Sequence, residues 1–206
     1  LKRTGIAGEI EGLNRSGVPV VGICGGFQIM GRELHDPLHT ESSIPSMEGL
    51  GLLDIVTTFA REKITTQVRA GVCGPGPLLE EARGTEVMGY EIHMGRTDPG
   101  SGMVPVFTIN HRFGEAQNML DGASTADGKT WGTYIHGIFD NAVFRRKLIN
   151  GLRKAKGLAP LAEAVSLSAW EQRQRDYDSL AEVVRGSLDM ARIYGMMGLS
   201  GEAGGF

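Results

Sequence analysis

The tightest constraint in the chain is the segment Val18-Pro-Val-Val-Gly-Ile-Cys-Gly-Gly-Phe-Gln28. Its apolar, β-branched start, Val18–Ile23, reads as a short buried strand, with Pro19 near the beginning, where a missing N–H is tolerated. Cys24 follows at once, and Phe27–Leu34 then reads as a helix with Ile29 and Met30 facing inward. Strand, sharp turn and helix therefore meet at one cysteine, the arrangement of a nucleophile elbow in an α/β fold. Gly22, Gly25 and Gly26 permit the turn and leave room for a substrate. The partial positive charge at the helix start favours a thiolate. The Gly25 N–H would face the carbonyl oxygen of a bound acyl group, one half of an oxyanion hole, where a donor contributes about 3–4 kcal/mol. The other reading of such a cysteine is a structural thiol buried in a tight βα turn; the flanking glycines favour the nucleophile.

A thiol nucleophile needs a base. The histidines are His35, His39, His93, His111 and His136. His136 closes a predicted strand, Lys129–His136. Catalytic groups gather at the carboxyl ends of parallel strands, so Cys24 and His136 are expected together. An imidazole about 3 Å from the sulfur would take its proton. The alternative is a histidine capping the helix that starts near Asn141. His93, within Gly89–Arg96, reads equally as lining the site or holding a loop. His35, His39 and His111 fall in polar stretches and read as solvent-exposed. Cys73 sits in a Gly-Pro turn with no base nearby and reads as incidental. These histidines and cysteines show no zinc-ligand spacing.

Along the chain, Ile6, Ile10 and Leu13 mark an amphipathic helix. His35–Gly49 reads as a polar loop. Gly51–Phe59, Lys63–Arg69, Val87–Met94, Val104–Ile109 and Lys129–His136 read as strands, with hairpin signals at Asp121-Gly and Asp127-Gly. Asp140-Asn141 offers an N-cap for a helix to about Lys156, whose face carries Phe144, Leu148, Ile149 and Leu152. Beyond a Gly-Leu-Ala-Pro break, helices are predicted over Leu161–Arg175 and from Asp176 to about Met197. The second carries Tyr177, Leu180, Ala181, Val184, Leu188 and Ala191 on one face. Residues 198–206 read as a frayed end. The expected organisation is a domain over 1–160 with a helical extension over 161–206.

Composition narrows the function classes. A net charge of −3 and a pI near 6.0 leave no basic footprint for nucleic acid. The longest apolar stretch, Val18–Cys24, is far short of a membrane span. No secretory signal opens the chain, and two cysteines make no disulfide framework, so a cytoplasmic protein is expected. Glycine is high, 31 of 206 residues, without a period, which suits tight turns and close backbone approach.

Gly22-x-Cys24-x-Gly26-x-Gln28 resembles the nucleophile motif of class I (triad-type) glutamine amidotransferases. With Gly89-Tyr-Glu-Ile-His-Met-Gly-Arg-Thr97 and Tyr134-Ile-His-Gly-Ile-Phe-Asp-Asn141, the chain is similar to the carboxy-terminal amidotransferase domain of the cobyric acid synthase family. Gly49-Leu-Gly-Leu-Leu53 and the last helix, with Leu188-Asp-Met, are similar too. The resemblance implies a flavodoxin-like α/β sheet with flanking helices, its first strands lying before Leu1. It implies a glutaminase with Cys24 as nucleophile, His136 as base, Gly25 at the oxyanion, and Gln28 and His93 near the glutamine. The family amidates peripheral carboxylates of a cobyrinic acid diamide. The implied partners are therefore glutamine, a corrinoid substrate and an amino-terminal synthetase domain that uses ATP and Mg2+. No cofactor or metal is expected in this segment. Most class I domains carry an acid two residues after the histidine; here Ile138 holds that place, leaving Glu91 and Asp140 as candidates to orient His136. The competing readings are a non-catalytic domain, a cysteine peptidase, and a related amidotransferase acting on cobyrinic acid or on a cell-wall precursor.

Overall fold

A computed structural model describes residues 1–162 and 169–199. The chain divides into two compact units, Leu1–Ala164 and Val165–Phe206. In the first, helix α1 (Ile6–Arg15) precedes strand β1 (Val20–Ile23), and Cys24 leads directly into α2 (Gly25–Ile29). Helix α2 is shorter than the sequence pattern suggests. Glu33 and Leu34, expected in the helix, and His35, expected in the loop, form strand β2, which pairs in parallel with β4 (Ile55–Val72) and antiparallel with β3 (Ser46–Glu48), itself within the expected loop. The two strands expected over 51–69 are one long strand, β4, whose register against β5 (Glu86–Pro99) shifts between Phe59 and Ile64. That irregularity accommodates the exposed charges Arg61, Glu62 and Lys63. A short helix, α3 (Pro77–Glu80), lies between β4 and β5. Strand β6 (Phe107–Arg112) pairs with β4 and with β7 (Glu115–Asp121). Strand β7 was not legible in the sequence because all of it but Asp121 is exposed, so no apolar alternation marks it.

The predicted strand 129–136 is broken at Tyr134. Its first half, β9 (Thr130–Thr133), runs parallel to β1 and antiparallel to β8 (Ala123–Ser124); its second half, β10 (Ile135–His136), joins β5 in the other sheet. The break has a side-chain cause. Asp121 accepts the Tyr134 N–H at 3.3 Å and the Thr133 hydroxyl, while Thr133 Oγ1 accepts the Ile135 N–H at 3.0 Å. Amides that would extend one ladder are thus satisfied by side chains, and the strand crosses between sheets. A single 3₁₀ turn, Ile138–Asp140, leads into α4 (Ala142–Ala155).

Trp131, Phe107, Phe144, Ile135, Ile138 and Leu79 are fully buried in the larger core. A smaller core, Phe27, Met30, Leu53, Ile55, Ala123 and Tyr134, packs beneath the Cys24 turn. The second unit holds α5 (Ala169–Ser187) and α6 (Met190–Met196). The helix break expected at Asp176 is absent: Asp176 sits inside α5 and accepts a hydrogen bond from Gln172 one turn earlier at 2.9 Å. The break falls at Leu188–Asp189, where Asp189 caps α6 by accepting the Arg192 N–H at 3.0 Å. The expected apolar face is largely exposed, with Tyr177, Leu180 and Leu188 each more than half accessible. The helix expected from Leu161 falls partly on 163–168 and the frayed end partly on 200–206, outside the described residues.

Packing at the turn makes a stability prediction. A Cβ on Gly22 would stand 2.4 Å from Met30 Sδ and 2.7 Å from the Phe27 nitrogen, whereas one on Gly12 in α1 would meet nothing within 4 Å. Gly22→Ala is expected to destabilise by about 1–3 kcal/mol. Gly12→Ala should be neutral or stabilising by up to about 1 kcal/mol. Urea melts of the two variants check this contrast.

Candidate active site

Cys24 has φ 53° and ψ −114°, a conformation that few non-glycine residues adopt. Its N–H donates to the Thr133 carbonyl at 2.9 Å, continuing the β1–β9 ladder, and its carbonyl accepts the Gln28 N–H at 3.0 Å, beginning α2. The residue is therefore the shared last rung of a strand and first turn of a helix, which forces the bend. Its thiol is half-buried, and Sγ donates to the Ile92 carbonyl at 3.4 Å. Burial pushes the Cys24 thiol above its ordinary value; the Gly25 N–H opposes this, and the Glu41 carboxylate adds to it. Burial thus works against the thiolate that the helix start favours. With only the five residues Gly25–Ile29, α2 has too small a dipole to overcome the burial. Glu41 is delivered by a loop clamped on Asp36. That carboxylate is buried, which opposes ionisation, yet it accepts from the Thr40, Glu41 and Ser42 N–H groups and the Thr40 hydroxyl, and these hold it at about 2.

His136 lies on β10 directly opposite Tyr90 of β5, and their rings stack at 5.0 Å, nearly parallel. Its Nε2 is buried without a hydrogen-bond partner. The antiparallel registers Gln67↔Tyr90, Thr65↔Ile92 and His136↔Tyr90 put these side chains on one face of the sheet. On that face lies a groove of about 570 Å³, lined by Thr65, Gln67, Tyr90, Ile92 and Phe113. Cys24 contacts the Ile92 carbonyl and His136 stacks on Tyr90, two residues apart on one strand. Neither Cys24 nor His136 is among the residues that line the groove; each touches a strand residue that does, and the two are not hydrogen-bonded to each other.

The remaining candidates are distributed differently. Gly25 is exposed at the start of α2, with open space around it. Gln28 is buried, and its Nε2 donates to Tyr134 Oη at 3.3 Å; that phenol is also 2.6 Å from Thr97 Oγ1, so Gln28 braces the turn from below. His93 points away from the groove. Its ring stacks on Tyr134 at 3.8 Å, Nδ1 donates to the Gly95 carbonyl at 2.8 Å, and Nε2 lies 3.5 Å from Glu91 Oε1. Glu91, a candidate to orient His136, is occupied elsewhere. It is buried, which raises its carboxyl, but His93 and the Arg112 guanidinium, at 3.0 and 2.6 Å, outweigh that and hold it below the ordinary value. The backbone N–H of Asp140, the other candidate, donates to the Gly137 carbonyl in the 3₁₀ turn. His35 and His111 lie on β2 and β6 instead of in loops; His39 is in the Asp36 loop, its Nδ1 3.1 Å from the Ser42 carbonyl. Cys73 is half-buried, with Sγ 3.7 Å from the Pro105 carbonyl.

Two polar residues of this region have roles that the sequence did not reveal. Asn141 occupies the N-cap position of α4 but makes no side-chain cap; its amide is used on β5 instead. Asp121 showed only a hairpin signal, because its role depends on Thr133 across the fold. Burial pushes the Asp121 carboxyl to about 6, although the Thr133 hydroxyl and the Tyr134 N–H act in the opposite direction. An unfolded aspartate titrates near 3.9. Between about pH 4 and pH 6 the folded chain therefore keeps a proton that the unfolded chain releases, and stability falls as pH rises through that window. Asp121→Asn is expected to flatten this slope in denaturant melts from pH 4 to 7; an unchanged slope would contradict it.

Comparison with known proteins agrees with this architecture. The model of the CobB/CobQ-like glutamine amidotransferase domain matches residues 1–144. Proteins named cobyric acid synthase from Pelotomaculum thermopropionicum, Thermoanaerobacter sp. and Caldanaerobacter subterraneus subsp. tengcongensis are 45%, 45% and 46% identical to this chain, over 98%, 92% and 96% of it. The chain spans 39%, 37% and 39% of the length of these relatives. A solved structure of PurLQS from Thermotoga maritima shares the fold, with a TM-score of 0.51 at 17% identity over 71% of this chain and 68% of that one. Among the described residues, no helix is long and apolar enough to cross a membrane. By family match and by identity over nearly its whole length, the chain belongs to the CobB/CobQ-like glutamine amidotransferase domains.

Proposed function

We propose that this chain is the glutaminase part of a cytoplasmic, glutamine-hydrolysing cobyric acid synthase, with Cys24 as nucleophile and His136 as base. The observation that supports the reading is the strained Cys24 turn, whose Sγ meets β5 at the Ile92 carbonyl, two residues from the Tyr90 on which His136 stacks. The three relatives named above support the choice of cobyric acid synthase over an amidotransferase acting on cobyrinic acid or a cell-wall precursor.

The chemistry follows from the geometry. Cys24 Sγ attacks the side-chain amide carbon of glutamine, and its proton passes to His136. The oxygen of the tetrahedral intermediate takes the negative charge and accepts the Gly25 N–H. His136 then gives the proton to the departing ammonia, leaving a thioester. Water, deprotonated by His136, cleaves the thioester and releases glutamate, and the thiol regains its proton. Because Sγ donates to the Ile92 carbonyl, glutamine must draw it from that oxygen toward His136 before attack. The ammonia serves a synthetase part, outside these residues, that activates corrinoid carboxylates with ATP and Mg2+.

Treating the full-length protein with a diazoketone analogue of glutamine and mapping the adduct tests the assignment. Modification at Cys24, lost in Cys24→Ala, is expected; modification at Cys73, or at neither cysteine, would overturn it. Glutamine hydrolysis should fall by at least about 10³-fold in Cys24→Ser and in His136→Ala, because nucleophile and base act as a unit.

A further inference from the structure

The position that carries an acid in most class I domains holds Ile138 here, a side chain 1% exposed and packed in the larger core. The structure holds His136 by other means. β10 ends at His136, paired with Tyr90. Alternate residues of a strand turn their N–H and C=O toward the same neighbour, so the groups of Met88 face the place where β10 would have continued. No backbone occupies that place; the side chain of Asn141 does. Its Oδ1 accepts the Met88 N–H at 2.9 Å and its Nδ2 donates to the Met88 carbonyl at 2.8 Å, reproducing a ladder rung with a side-chain amide. The same Nδ2 reaches the Gly137 carbonyl at 3.2 Å and the Ile138 carbonyl at 3.1 Å, the two residues after His136. Gly89 permits this close approach: a Cβ there would stand 2.3 Å from the His136 carbonyl oxygen.

We propose that Asn141 is a positioning residue for His136, its side-chain amide tying the turn after the base to the strand that carries the groove. The proposal rests on the reading of His136 as the base. The amide supplies both donor and acceptor, which no other side chain of this length does. Asn141→Ala removes the whole clamp. Asn141→Asp is nearly isosteric and keeps the Met88 N–H bond, but turns an oxygen toward three carbonyls. Neither variant touches the nucleophile or the groove directly.

The test is a cycle in the full-length protein with Asn141→Ala, His136→Ala and the double variant, reading the rate of Cys24 modification by the diazoketone analogue, with melting temperatures measured alongside. With His136 present, Asn141→Ala is expected to lower the maximal rate about 10–100-fold, with little change in the reagent concentration giving half that rate, the cost of a misplaced catalytic group. With His136 already removed, Asn141→Ala should have no further effect. Asn141→Asp serves in the same cycle should Asn141→Ala fail to fold. An equal loss in both backgrounds, or no loss in either, overturns the role of Asn141 alone. A His136→Ala variant that keeps the full rate overturns the reading of His136, and this proposal with it.

Discussion

The structure around the site depends on one backbone bend. Cys24 must end a parallel ladder and start a helix within a single residue, so its N–H belongs to Thr133 and its carbonyl to Gln28. Residues held at such dihedrals cost on the order of 1–3 kcal/mol and persist only where the surroundings fix them. Here Phe27 and Met30 fill the core beneath the turn, against the bare backbone of Gly22 and Gly132, where any Cβ would collide with them. The same bend lifts the sulfur to β5, where the Ile92 carbonyl accepts its hydrogen bond. Packing energy from a small core is thereby converted into the placement of one sulfur atom.

Beneath the bend lies a layer of buried polar groups. Gln28, Tyr134 and Thr97 are joined in one chain of contacts; His93 stacks on Tyr134 and faces Glu91, which Arg112 holds; Asp121 gathers Thr133 and the Tyr134 N–H. Each of these contacts ends on the elbow, on the strand carrying Ile92, or on the crossing between β9 and β10. Buried networks of this kind are costly unless satisfied, and when satisfied they fix a single arrangement. This is a physical reason for keeping buried ionisable side chains beneath the Cys24 turn.

Much of this was legible in the chain itself. The Cys24 turn, the first helix, the strand at Val87–Met94 and the helix of Phe144 and Leu148 follow from periodicity and glycine placement, because each is set by neighbours in sequence. The broken strand at Tyr134 was not, since its cause is an aspartate thirteen residues away. The upward push on the Cys24 thiol was not, since it reflects burial and a carboxylate delivered by a separate loop. Asn141 looked like a cap because it precedes a helix, but the free N–H and C=O of Met88 compete for its amide and win. Local rules located the Cys24 turn; long-range hydrogen bonds decide how the residues around it are held.

The measurement that bears most directly on the pairing of thiol and imidazole is a crystal structure of the full-length protein with a glutamine-derived adduct on position 24. The account predicts a sulfur detached from the Ile92 carbonyl, an adduct lying in the groove along Tyr90 and Ile92, and His136 Nε2 within hydrogen-bonding reach of the sulfur or the departing group. An adduct directed away from that groove, with the Nε2 still enclosed and remote from it, would contradict the account.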